Sequence, residues 1–237
     1  MEMYMLYTPD EAEGMKRRNF LSGTLSYIAK GNSLLSAKLP PEHTCDVMVV
    51  SAVDALPEVA PAIYDEARRR TCRRIFLDTT GTISESFREL CTSLIRRGLS
   101  VFAPYALPCP RGVVPVIDAA ITGGHLSEVF EMAGKDFTEF AVSISPMFCM
   151  TRLPARSESF RVLSRREVYS ILNREEAFSH FSPQMQCKYF LHNPDGDNVF
   201  LVLFDDRETI SSKIRLAKKH GAGHAFFVHS EISEDII

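Results

Sequence analysis

Short apolar runs alternate with amphipathic stretches along most of the chain. Cys45-Asp46-Val47-Met48-Val49-Val50-Ser51 is a run of the kind that suits a strand buried on both faces. Val59, Ile63 and Ala67 then recur at helical spacing between Leu56 and Arg70, and Arg74-Ile75-Phe76-Leu77-Asp78 is a second buried-type strand. A strand, a helix and a strand in this order form a unit that pairs in parallel with a right-handed crossover. The rhythm continues with a helix over Ser84–Arg97, strands at Leu99–Ala103 and Val113–Ile117, a helix near Leu126–Lys135 and a strand over Phe140–Met147. Tyr4–Tyr7 and Thr24–Ala29 supply two further strands at the start.

The rhythm changes between Pro154 and Phe204. A helix is expected over Arg165–Ala177, then two apolar runs, Cys187–His192 and Val199–Phe204, separated by Asn193-Pro194-Asp195-Gly196-Asp197-Asn198. Proline presets one dihedral angle and glycine accepts a positive one, so this segment predicts a β-hairpin turn. From Val199 to Ser230 the chain reads strand, acidic turn, amphipathic helix, glycine-marked stop, strand.

That last stretch resembles the final βαβ unit of glycoside hydrolase family 18, the chitinase-like barrels: a hydrophobic strand ending in an acidic pair, a Lys-bearing helix and a short glycine run into the last strand. The segments Leu163-Ser164, Tyr189-Phe190, Asp195-Gly196 and Asp205-Asp206 also follow the order of the small α+β insertion found in the spore-associated branch of that family. The resemblance implies an α/β fold, a compact TIM-type (β/α)8 barrel with a small α+β insertion before the last βα unit. Residues 1–154 and 205–237 are expected to form the barrel and 155–204 the insertion.

In such a barrel the chemistry belongs at the C-terminal ends of the strands. The family carries D-x-x-D-x-D-x-E on strand four. Its terminal Glu protonates the glycosidic oxygen, and the preceding Asp orients the acetamido group that attacks the anomeric carbon. This chain reads Arg73-Arg74-Ile75-Phe76-Leu77-Asp78-Thr79-Thr80 there, so Asp78 alone remains of the acidic series and Thr80 stands in place of the acid. A threonine hydroxyl is far too weak an acid to protonate a leaving alkoxide near neutral pH. Tryptophan faces that hold sugar rings in the family are missing too: the chain has no Trp, and Val228 falls where one would close strand eight. The resemblance therefore implies a catalytically degenerate barrel with no catalytic residue, in a glycan-binding or protein-interaction role. The candidate pocket residues are Asp78, Thr80, Tyr105 and Asp118.

Two enzymatic alternatives stand beside it. Asp78 and Asp118 at strand ends could run an altered glycosidase chemistry. Asp78-Thr79-Thr80-Gly81-Thr82 also resembles the D-x-x-G-T motif of haloacid-dehalogenase phosphotransferases, with Asp78 as nucleophile. Against this, Thr82-x-x-Glu85 reads as a capping box for the next helix, and Asp195-Gly196-Asp197-Asn198 enters an apolar run rather than a helix. Asp205 and Asp206 read as the acidic start of a helix. His220 and His224 flank Gly221 and Gly223 and fit a helix end better than a metal site.

Composition narrows the partners. The 237 residues are 45% hydrophobic with a formal net charge of -3, which excludes a disordered chain and gives no general attraction to nucleic acid or to an anionic membrane. No apolar run is long enough for a membrane span, and the acidic start MEMYMLYTPDEAEG does not look like a signal segment, so a cytoplasmic location is expected. Six cysteines, Cys45, Cys72, Cys91, Cys109, Cys149 and Cys187, lie in apolar patterns without a C-x-x-C pair and read as buried free thiols. No cofactor and no metal is implied, and oligomeric state is left open.

Overall fold

The computed structural model describes residues 1–12, 20–37, 39, 43–79, 83–105, 110–154, 160–174 and 176–232. The chain opens with strand β1 (Glu2–Tyr7), a short helix α1 (Pro9–Ala12), the long strand β2 (Leu21–Gly31) and its hairpin partner β3 (Ser33–Ser36). Then follow β4 (Val47–Ala55), α2 (Ala60–Arg69), β5 (Arg74–Asp78), α3 (Glu85–Arg96), β6 (Ser100–Pro104), β7 (Val113–Asp118), α4 (Leu126–Asp136) and β8 (Ala141–Ser143). A second sheet comprises β9 (Phe148–Arg152), β10 (Arg161–Val162), β11 (His180–Ser182), β12 (Cys187–His192) and β13 (Phe200–Phe204), with α5 (Arg165–Arg174) between β10 and β11. Helix α6 (Arg207–Lys219) and strand β14 (His224–Val228) close the fold.

Strands β1, β2, β4, β5, β6, β7, β8 and β14 pair in parallel in that order, and β14 returns to β1, so the sheet closes into an eight-stranded barrel. Closure removes the exposed edges that an open parallel sheet would leave. The N-terminal strands are thus integral: Tyr4 lies opposite Phe226 on one side and Leu21 on the other. Among the described residues the usual helices are not all present. The β3 hairpin fills the connection from β2 to β4, and no helix occurs among the described residues between β6 and β7.

Alternation sends Tyr4, Leu6, Val47, Val49, Phe76, Phe102, Val116, Ala141 and Phe226 into the barrel interior. Phe226 sits at its centre, with ring centroids 5.0 Å from Tyr4, 5.0 Å from Phe76 and 5.1 Å from Phe102. Two outer layers lie between strands and helices. One gathers Ile63 and Ala67 of α2 with Leu90 and Leu94 of α3, the other Phe130 of α4 with Ile210 and Ala217 of α6. The N-terminal end of the barrel is plugged by a polar network: the Tyr4 hydroxyl donates to Glu2 Oε2 (2.5 Å), Arg74 pairs with Glu2 (3.2 Å), and His224 Nε2 lies 2.9 Å from Glu139 Oε1. His224 is therefore a strand residue of this plug, while His220 caps the end of α6.

The second sheet is antiparallel, in the order β10-β9-β13-β12-β11. Helix α5 covers one face, where Val168 and Leu163 pack with Phe190, Val202 and Phe204. On the other face Cys149, Cys187 and Leu203 pack with Met147 and reach Ala120 beyond β7. This sheet begins at Phe148, ahead of the boundary expected at 155. The expected strand over Phe140–Met147 is shorter than its apolar pattern: β8 stops at Ser143, and the apolar residues after it lead into β9, whose Thr151 lies opposite Leu201. The hairpin turn stands where Pro194-Asp195-Gly196 placed it, with Gly196 at φ +82°.

Three local expectations are corrected. Ser84, not Thr82, is the N-cap of α3, its hydroxyl accepting from the Phe87 backbone N–H at 3.1 Å; Glu85 is then the first helical residue and no capping box forms. Helix α5 ends at Arg174 rather than Ala177. Of the acidic pair, only Asp206 caps α6, in a reciprocal capping box with Thr209. Asp205 is buried instead, and its carboxylate accepts from Lys213 Nζ (2.7 Å), Thr209 Oγ1 (2.8 Å) and the Met147 backbone N–H (2.8 Å).

Candidate functional site

Side-chain alternation carries from the interior to the mouth. Two residues beyond Phe76 on β5 comes Asp78; two beyond Val49 on β4 comes Ser51; two beyond Val116 on β7 comes Asp118; two beyond Ala141 on β8 comes Ser143. Register pairs Ser51 with Asp78 and Asp118 with Ser143. The rim of the barrel thus holds two carboxylates and two hydroxyls from strands four, six, three and seven.

The two carboxylates differ. Asp78 is half-buried, and burial pushes its carboxyl above the usual aspartate range, opposed in part by a hydrogen bond from the Thr79 backbone. Asp118 is exposed, and its Oδ1 accepts from the Ala120 backbone N–H at 2.8 Å, closing a short turn after β7. Of the other expected pocket residues, Thr80 lies outside the described residues, as do Gly81 and Thr82. Tyr105 does not reach the mouth. It follows Pro104 on the outward side of β6, and its ring meets Phe137 edge-on at 5.8 Å in the outer layer. Val228 ends β14 and packs against the interior cluster, in the place expected for a tryptophan.

A wall over this mouth was not expected. Strands β2 and β4 run on beyond the barrel rim, and β3 folds back on β2, so that Ile28 faces Leu35 on one side and Ser51 on the other. An open cleft of about 430 Å³ lies against this wall, lined by Leu25, Ile28, Leu35, Val49 and Ser51 among others. Its volume falls in the range of about 300–1,000 Å³ typical of small-molecule sites. Ile28 and Leu35 are exposed along its lip. The signal was present in the sequence: Lys30-Gly31-Asn32-Ser33 puts a glycine-asparagine turn between two apolar stretches, and Gly31 takes φ +56°.

Next to this wall, where β1 and β14 end, lies a second cluster that the sequence pattern did not signal. His229, just after β14, places Nδ1 3.2 Å from Glu11 Oε1, and the Thr8 backbone N–H and hydroxyl both donate to Glu11 Oε2. The ring of Tyr7 lies 5.1 Å from that of His229. Burial raises the Glu11 carboxyl, but the bonds from Thr8 and His229 outweigh it and leave the group below its ordinary range. Tyr7 and His229 alternate with the inward Leu6 and Val228 and so lean away from the mouth. Among the described residues no group of His, Cys, Asp and Glu could hold a metal ion.

Solved structures with this architecture settle the fold. A chitinase from Chromobacterium violaceum superposes with a TM-score of 0.67 at 12% identity, covering 100% of this chain and 96% of its own. The chain has the family 18 chitinase-type fold. The spore cortex-lytic enzyme SleL of Bacillus cereus matches with a TM-score of 0.67 at 14% identity, over 99% of this chain and 72% of its own. A class V chitinase mutant from Cycas revoluta, solved in complex with (GlcNAc)3, matches at 0.64 and 13% identity over 96% and 94%. No protein-family model matches the sequence, and no curated protein matches it. No helix among the described residues is long and apolar enough to cross a membrane.

The chitinase-type barrel gives no support to the phosphotransferase reading. Asp78 ends a strand of a closed barrel. Asp195, the other half of that motif set, accepts from the Asp197 and Asn198 backbone N–H groups at 3.1 and 2.8 Å inside the hairpin turn of the second sheet. Asp195 therefore shapes a turn.

Proposed function

We propose that this chitinase-type barrel binds a glycan containing N-acetylglucosamine at its mouth without hydrolysing it. One observation carries the reading: the end of strand four offers a single carboxylate, Asp78, followed two residues later by the alcohol Thr80. Glycoside hydrolysis of this kind needs a carboxylic acid to protonate the leaving oxygen, and an alcohol cannot take its place. Asp78 retains the part of a binding group. Burial raises its carboxyl above the usual aspartate range, and its oxygens can accept from an acetamido N–H. Ser51 beside it and the cleft under the β3 wall supply the remaining contacts.

The ligand class is taken from the neighbours, one of them a chitinase bound to (GlcNAc)3 and another a spore cortex-lytic enzyme. Titration of the protein with chito-oligosaccharides and with peptidoglycan fragments tests it. Saturable chemical-shift changes at Ser51 and Asp78 support the reading, and their absence with both ligands removes it. The competing glycosidase reading, with Asp78 and Asp118 as its carboxylates, rests on their shared place on the rim and requires turnover that vanishes in Asp78→Asn.

A further inference from the structure

Acidic residues outnumber basic ones over the whole chain, for a formal net charge of -3, yet one end of the barrel gathers arginines. Arg68 lies in the last turn of α2, Arg73 in the turn between α2 and β5, Arg96 in the last turn of α3, Arg97 at its C-cap, and Arg111 in the turn that leads into β7. All five are exposed. Strands β5, β6 and β7 are parallel neighbours, so these helix ends and turns share the N-terminal face of the barrel, opposite the mouth. Contacts join them into one patch. The Tyr64 ring has the Arg68 guanidinium carbon 5.9 Å from its centroid and that of Arg97 at 5.8 Å, which ties the end of α2 to the end of α3. The Ser100 backbone N–H donates to Arg73 O at 3.0 Å and sets Arg73 beside the start of β6. A Cβ at Gly112 would touch Ile95 at 3.6 Å, so the turn carrying Arg111 packs on the last turn of α3. Two nearby carboxylates are already engaged: Glu66 accepts from Arg69 at 2.7 Å and from Arg70 at 2.9 Å, and Glu2 pairs with Arg74. Among the described residues no carboxylate stands within ion-pair distance of Arg68, Arg73, Arg96, Arg97 or Arg111. Helix dipoles account for Arg68 and Arg96. They do not account for Arg73 and Arg111, which lie in turns.

We propose that this face docks the barrel on an anionic phospholipid surface, with the mouth turned away from it. A guanidinium offers a phosphate two parallel hydrogen bonds, and these arginines, carried by separate turns on one face, meet a plane of headgroups without having to enter a groove. Nucleic acid suits the face less well. Helices α2 and α3 reach it end-on, so neither lays its length into a groove, and the Tyr64 ring is engaged by two guanidinia rather than open to a base. The large apolar side chains that the described residues expose, such as Ile28, Phe178 and Leu191, lie elsewhere. Attachment is therefore electrostatic and reversible, without insertion into the bilayer.

The test is co-sedimentation of the full chain with vesicles of phosphatidylcholine alone and of phosphatidylcholine containing about one third phosphatidylglycerol. Binding is expected to the anionic vesicles only, and it is expected to disappear at about 0.5 M salt, where screening shortens the reach of the charges to a few ångströms. Arg73→Gln combined with Arg97→Gln is expected to weaken binding about tenfold or more while leaving the melting temperature unchanged. Arg152→Gln combined with Arg166→Gln removes the same charge from exposed positions of β9 and α5 and is expected to leave binding as it was. The proposal is overturned if the wild-type protein stays in solution with the anionic vesicles at low salt, or if the two pairs of changes weaken binding equally. It is also overturned if a mixed-sequence DNA duplex at equal phosphate concentration strips the protein from the vesicles, which would assign the face to nucleic acid.

Discussion

Two aspartates at the C-terminal side of this barrel have opposite surroundings. Asp205 is fully buried, yet every lone pair it needs to share is met: Lys213, itself fully buried, faces it at 2.7 Å, and Thr209 and the Met147 N–H complete the shell. Asp78 is only half-buried, yet its carboxyl is pushed upward because burial is not matched by a cation. A carboxylate that serves the fold gathers donors around it. One that is left desolvated at the end of a barrel strand has a place in a site. The contrast separates the joint between barrel and second sheet from the mouth proposed to bind a glycan.

Removing the cation at the joint is the strongest way to break this comparison. Lys213→Met leaves the Asp205 carboxylate buried and unpaired, with an expected loss of about 3–5 kcal/mol in denaturant unfolding. Replacing both residues, Asp205→Leu with Lys213→Met, is expected to recover most of it, because no charge is then left stranded. If the single change costs less than about 1 kcal/mol, the joint does not depend on the pair. Next in size, Thr209→Val removes the hydroxyl that donates to Asp205 and answers the Asp206 N–H, with an expected cost of about 1.5–3 kcal/mol by the same measurement.

Farther from either aspartate, Ser84→Ala is expected to cost about 1 kcal/mol as the α3 cap is lost. The same change made at Thr82 is expected to leave unfolding unaltered, and the two together check which residue caps the helix.

The smallest change is the most telling about the mouth. Because the folded-state pKa of Asp78 is raised, its favourable contribution is present below the unfolded-chain pKa and is lost as pH rises through the folded value. Asp78→Asn cannot ionise. It is therefore expected to be more stable than the wild type near neutral pH, with the difference shrinking to nothing as pH falls below the ordinary carboxylate range. Thermal melts across that range check the sign. A variant that is less stable at neutral pH would give Asp78 the same structural role as Asp205.

Much of this was legible along the chain, and the reason is local. Val47–Val50 and Ile75–Leu77 read as buried strands because both faces of a parallel barrel strand are covered. The last strand, helix and strand kept their turn chemistry through Asp206 and Gly221, but they are not the βαβ unit the sequence suggested, because β13 pairs antiparallel in the second sheet while β14 pairs in the barrel. Features fixed by distant partners were not legible. Strand β9 belongs to the second sheet only because Cys149 and Thr151 find Leu203 and Leu201 far along the sequence. Asp205 and Lys213 stand eight residues apart, and a double aspartate before a helix gives no sign of which one turns inward. Within the site, alternation placed Asp78 and Asp118 on the rim, while the same alternation turned Tyr105 outward, a point that an exact strand boundary at Pro104 decides.

The central claim, a chitinase-type mouth that holds a glycan and leaves it whole, meets its most direct test in a single NMR titration of the protein with chitohexaose, read over time for both protein and sugar signals. The account predicts saturable shifts at Ser51 and Asp78 and no growth of reducing-end signals. Reducing ends that accumulate with the wild type and not with Asp78→Asn would contradict it.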